Sequence, residues 1–239
     1  MKIKLLLIIL FFALSYTTGL AQTQTNTKKN NLEFSIGYNS GSLKNLELAP
    51  VARYDYNGLV YKLNYERTSK NQNIFEVEID FLGKTALKTH RLSNFNTKIL
   101  KAGLDFSYLK QLYNKNDLSI HLGLQSRTNI SFFFNKSDYI DFHQEFGIAS
   151  RFKYQLNEKQ YLTSKITIPF VLGRVTNGNA NIFSFNRYQS ILWNLKYGYK
   201  ISENFDVKAT YDFSYNRLQV PSAYRELQHQ INIGINYKF

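Results

Sequence analysis

The last twelve residues, QHQINIGINYKF (Gln228–Phe239), place Ile231, Ile233, Ile235, Tyr237 and Phe239 on every second position, with Asn232, Gly234, Asn236 and Lys238 between them. A period of two marks a β-strand whose two faces meet different surroundings. The same period recurs upstream. Leu32, Phe34, Ile36 and Tyr38 form one set, Leu59, Tyr61, Leu63 and Tyr65 another, and Phe75, Val77, Ile79 and Phe81 a third. Further sets start at Leu100, Leu118, Phe146, Leu162, Ile191 and Phe205, which makes about ten with the C-terminal run. Each is close to the 9–11 residues that a tilted membrane-crossing strand needs.

The links between the sets fall into two kinds. Short polar turns are expected at 69–73, 111–117, 157–160 and 202–204, and longer connections near 41–57, 84–96, 131–142, 173–187 and 217–226. Short turns at one end and long loops at the other suit a barrel inserted in a membrane from one side. The aromatic residues Tyr65, Tyr108, Tyr154, Tyr161, Tyr199, Phe205, Tyr237 and Phe239 all lie beside the short turns, as one interfacial girdle would require. The expected fold is therefore all-β: an antiparallel up-and-down transmembrane β-barrel of about ten strands, with eight or twelve as alternatives. A secreted soluble barrel, with the apolar parity turned inward, is the competing arrangement.

Composition narrows the setting. Aromatic residues make up 16% of the chain, and there is no Cys, so disulfides cannot hold the fold. The first residues, MKIKLLLIILFFALSYTTGLAQ, combine a basic start, a short apolar run and a small-residue site, the pattern of a secretory signal cleaved near Ala21. Residues 1–21 are thus expected to be a signal peptide, 22–31 a polar periplasmic tail, and 32–239 the barrel. The formal net charge of +13 on an exported chain points to anionic lipid headgroups rather than nucleic acid.

The final strand, alternating and finishing on Phe239, resembles the C-terminal signature of bacterial outer-membrane β-barrel proteins. The resemblance implies residence in the outer membrane of a Gram-negative cell. It also implies that Tyr237 and Phe239 serve as an assembly signal read by the barrel-assembly machinery.

In such a barrel the polar parity faces inward. It carries Lys62, Glu66, Glu76, Glu78, Asp80, Lys101, Asp105, Arg151, Lys196 and Lys208, expected to pair as an interior charge network between strands about 4.8 Å apart. A barrel this narrow is expected to be plugged rather than open. Gly37, Gly103, Gly123, Gly147, Gly198 and Gly234 share that parity; they either relieve crowding or leave a lane for a small solute.

Catalytic chemistry is sparse. Of the four histidines, His143 with Glu145, Asp138 and Asp141 forms the best acid–His cluster, and Arg225, Glu226 and His229 the second. Neither makes a recognised hydrolase motif, and His90 and His121 stand apart. No metal-ligand spacing is present and no cofactor is expected. Aromatic residues at 132–142 and 182–185 are expected to lie on strands continuing past the membrane rather than on a face that docks a neighbour. The leading functional expectation is a non-enzymatic scaffold or interaction protein with outer-membrane lipids, including lipopolysaccharide, and other outer-membrane proteins as partners. A narrow solute channel is one alternative, and a lipid-modifying enzyme or protease is another.

Overall fold

The computed structural model describes residues 29–48, 53–89, 97–134, 139–176, 179–219 and 223–239. These residues form strands and turns, with no helix among them. The strands are β1 (Asn30–Asn45), β2 (Tyr54–Thr68), β3 (Ile74–Ala86), β4 (Lys98–Lys115), β5 (Leu118–Phe134), β6 (Tyr139–Gln155), β7 (Gln160–Thr176), β8 (Asn179–Ser184), β9 (Tyr188–Lys200), β10 (Phe205–Leu218) and β11 (Tyr224–Lys238). All pairings are antiparallel, and β1 closes on β11, giving a ten-stranded barrel plus the additional β8. β7 explains the extra strand. Its lower half, Gln160–Thr167, pairs with β9, and its upper half, Val171–Thr176, pairs with β8. β8 and β9 therefore occupy one edge of β7 in succession, separated by the turn at 185–187.

The closing seam explains the unbroken C-terminal alternation. β1 and β11 pair from Asn31↔Lys238 to Asn45↔Tyr224. Beyond them, the Phe239 amide donates to the Asn30 carbonyl at 3.0 Å, and the Asn30 amide donates to the Phe239 carbonyl at 3.1 Å. The strand is tied to the last residue because an unpaired backbone group cannot be left in hydrocarbon.

Side-chain orientation follows the sequence parity in the membrane half. Ile231, Ile233 and Ile235 are 60–66% exposed, and Phe34, Ile36, Leu59, Leu124 and Ile148 stand out on the same outer face. Such a continuous apolar exterior is the lipid face of a membrane barrel. Tyr65, Tyr108, Tyr154, Tyr199, Phe205, Tyr237 and Phe239 lie on that exterior, but Tyr161 does not. Tyr161 falls on the inward parity of β7, buried, with its hydroxyl donating to Asp206 at 3.0 Å and its ring over Gly198.

The strands are also longer than the alternation suggested. The ten barrel strands run 13–18 residues, so the long connections are shorter than expected: only 135–138 link β5 to β6. The reason is chemical. Past the membrane the inward positions turn apolar, as at Leu43, Tyr54 and Tyr224, so the apolar–polar contrast that marks a strand is lost. The aromatics near 132–142 and 182–185 accordingly sit on β5, β6 and β8 or at their ends, as expected. At the opposite rim, the β4–β5 link shrinks from 111–117 to Asn116–Asp117. Asn116 takes a φ of 53°, a left-handed conformation that Asn tolerates.

Candidate functional site: a charged interior under an apolar cap

Closing the barrel turns the polar parity of all ten strands onto one lumen, which brings opposite charges together across it. Lys62 Nζ on β2 bonds Glu78 on neighbouring β3 at 3.0 Å and Asp212 on β10 at 2.9 Å. Arg151 reaches Glu66 at 2.6 Å, Lys165 reaches Glu76 at 2.6 Å, and Lys101 reaches Glu226 at 2.6 Å. Lys196 and Lys208 share Glu33 at 3.2 and 2.7 Å, while Arg127 stands 3.4 Å from Asp105. Asp80 is in register with Lys62 but lies over Gly103. Of the ten expected network residues, nine thus hold an opposite charge, and most of the pairs cross the lumen rather than join adjacent strands. Burying single charges here would cost several kcal/mol each, and mutual pairing offsets most of that. A central cavity of about 60 Å³ remains among Lys62, Glu78, Arg127, Lys165 and Asp212, room for a few waters.

The inward glycines do not form a solute lane. A Cβ on Gly37, Gly103 or Gly198 would collide with Asn232, Asp80 or Tyr161 respectively, so a neighbouring side chain already fills the space beside each of them.

Above the charges lies a second layer. Leu43, Tyr54, Tyr56, Val60, Leu82, Leu87, Ile99, Phe133, Tyr139, Leu172, Phe183, Tyr188, Leu218 and Tyr224 form one buried cluster, to which every strand contributes. Burial of such side chains contributes about 2 kcal/mol apiece. Tyrosine hydroxyls tie this cap to neighbouring carboxylates. Glu226 accepts from Tyr56 at 2.5 Å and Tyr224 at 2.8 Å, and Glu47 accepts from Tyr139 at 2.8 Å. At the short-turn end the lumen opens instead into a polar vestibule of about 350 Å³, lined by residues that include Glu66, Gln72, His121 and Arg151.

No family model and no curated protein sequence matches the chain. Solved structures do. The outer-membrane protease OmpT from Escherichia coli aligns with a TM-score of 0.64 at 13% identity, over 91% of this chain and 99% of that one. An outer-membrane channel from Pseudomonas putida F1 aligns with a TM-score of 0.53 at 7% identity, over 93% of this chain and 100% of that one.

The fold is that of a bacterial outer-membrane β-barrel.

Within this barrel the histidines separate. His143 and Asp141, two residues apart on β6, both face inward, with Nε2 2.9 Å from Oδ1 but without the alignment of a hydrogen bond. Asp141 is clamped by Arg174 through Nε and Nη2 at 2.9 and 2.8 Å, and the His143 ring packs edge-on against Tyr224. Glu145 faces inward beside them, fully buried, and Asp138 lies outside the described residues. The second expected cluster is divided by the wall: Glu226 points in, whereas Arg225 and His229 point out. His229 contacts the Tyr211 hydroxyl at 2.8 Å and packs on Phe213 on the exterior. His121 faces the vestibule with Nε2 3.1 Å from the Gln72 carbonyl, and His90 lies outside the described residues.

Sequence reading assigned Glu226 to a loop cluster with Arg225 and His229 and missed its interior role, and it missed Arg174, because both fell in stretches assigned to loops. Extending the C-terminal alternation backwards through Gln230, Gln228 and Glu226 to Tyr224 was the signal that would have found the first.

Proposed function

We propose that this protein is a closed, non-conducting outer-membrane scaffold that works through its exterior and its loops rather than through its lumen. The carrying observation is the fourteen-residue apolar cap, which lies across the lumen at the long-loop end. The cap leaves water and ions no open passage, and the paired charges in and below it leave little free volume. A narrow channel would need the cap to open, yet Tyr56 and Tyr224 are hydrogen-bonded to buried Glu226. The structural neighbour described as a protease prompts a hydrolytic reading of Asp141 and His143. That reading is disfavoured because Asp141 is committed to Arg174 and both side chains are buried among the cap residues, 3% and 6% exposed. The expected result is therefore no stepwise conductance from purified barrel in planar bilayers. Stable unitary steps from the wild-type protein would reverse the proposal. So would peptide cleavage that is lost in His143→Ala.

A further inference from the structure

The exterior of the barrel near its long-loop end carries a row of cations that the interior network does not explain. Lys44 on β1 is the register partner of Arg225 on β11, and Arg225 is the register partner of Arg217 on β10. All three side chains face outward. Like charges directly opposite on adjacent strands repel. Among the described residues no carboxylate pairs with any of the three. The nearby Asp55 is held by Arg53 at 2.7 Å, and Glu47 turns inward to Tyr139 and Arg174. A groove of about 240 Å³ lies beside Lys44 and Arg225 of the row, lined also by Arg53, Tyr215 and Leu227 among others. The site thus has concentrated positive charge, an apolar wall and, among the described residues, no carboxylate paired with the row.

Its depth identifies the partner. Tyr237 marks the lower girdle on β11, and Arg225 lies twelve residues above it. At about 3.4 Å per residue and a tilt of about 40°, that is roughly 30 Å along the membrane normal. The apolar band of such barrels is about 25 Å tall, so Arg225 stands at the headgroup level of the outer leaflet. Below it the outward face of β10 and β11 grades from Tyr215 and Leu227 through Phe213 and His229 to Tyr211 and Ile231. An anionic head joined to an acyl chain matches that sequence of surfaces; a free solute anion would use only the top. Two guanidiniums favour phosphate, whose oxygens accept paired N–H donors.

We propose that the Lys44–Arg225–Arg217 row binds the phosphate of a phosphorylated glycolipid in the outer leaflet, with an acyl chain lying down the Leu227–Ile231 face. The lipid supplies the counter-charge for the row. This holds whether or not the lumen conducts.

The test uses full-length barrel in detergent micelles, titrated with diphosphoryl lipid A, the same lipid with both phosphates removed, and inorganic phosphate. Binding is read by native mass spectrometry and by the thermal midpoint. The phosphorylated lipid should bind and raise the midpoint, and the dephosphorylated lipid should bind at least tenfold more weakly. The K44Q/R217Q/R225Q variant should lose at least tenfold in affinity for the phosphorylated lipid. Without lipid it should be at least as stable as wild type, because the repulsion is gone. R225Q alone, which removes the central charge, should weaken binding severalfold and serves if the triple variant does not fold. Wild-type affinity in either variant, equal binding of both lipids, or inorganic phosphate binding as tightly as the phosphorylated lipid would overturn the proposal.

Discussion

At the scale of single residues, Lys62 pairs with carboxylates on two other strands, joining β2 to β3 and β10 through Glu78 and Asp212. Lys62→Met keeps the bulk but leaves two carboxylates facing a small cavity without their cation. Breaking a buried pair in this way costs about 3 kcal/mol. Urea unfolding from lipid vesicles should show a loss of that size, and Lys62→Met combined with Asp212→Leu should recover part of it. Strictly additive losses would mean that the cross-lumen contact carries no coupling. The same scale shows where sequence reading reached its limit. Lys62 was legible as inward from parity alone. Its partner on β10 was not, because contact across the lumen depends on strand order and stagger after closure.

At the scale of the element, each membrane-crossing strand is two surfaces back to back, and depth along it sets the cost of a charge. Ile233, four residues above the Tyr237 girdle on β11, lies near the middle of the apolar band. Ile233→Arg should cost about 2–4 kcal/mol in bilayers, while Tyr237→Arg at the interface should cost about 1 kcal/mol or less as arginine, beyond any loss of its stacking on Phe239 at 5.6 Å. Equal penalties at the two depths, measured by reversible unfolding in vesicles, would contradict the lipid-face assignment. The strand ends were the least legible parts of each element. Alternation reports a difference between two environments, and above the membrane the inward side holds Tyr54, Tyr56 and Tyr188, so that difference disappears.

At the scale of the whole molecule, the first and last strands form one seam, and Phe239 is both a seam residue and the end of the expected assembly signal. The two roles separate by measurement. Removing Phe239 deletes two terminal backbone hydrogen bonds, worth about 1–2 kcal/mol together. A role in assembly predicts a larger effect elsewhere: several times less barrel inserted in the outer membrane, with the missing protein degraded in the periplasm. Lys238→Ala is a poor control because Lys238 pairs with fully buried Asp206 at 2.6 Å. Glu203→Ala, in the exposed turn before β10, is the better one. Insertion of the Phe239 deletion at the Glu203→Ala level would remove the signalling role and leave the seam intact.

The sequence by itself determined, for most residues, which face lipid and which face the lumen, that an antiparallel barrel of about ten strands forms, and where most of the short turns fall. Those properties are local: a period of two and a few polar turn residues encode them, and the C-terminal run from Gln228 carries the pattern in its clearest form. Closure decided the rest. Lys62 meets Asp212, and Lys101 meets Glu226. The cap over the lumen and the Lys44–Arg225–Arg217 row on the outside arise in the same way, because residues far apart in the chain become neighbours only when ten strands share one circumference.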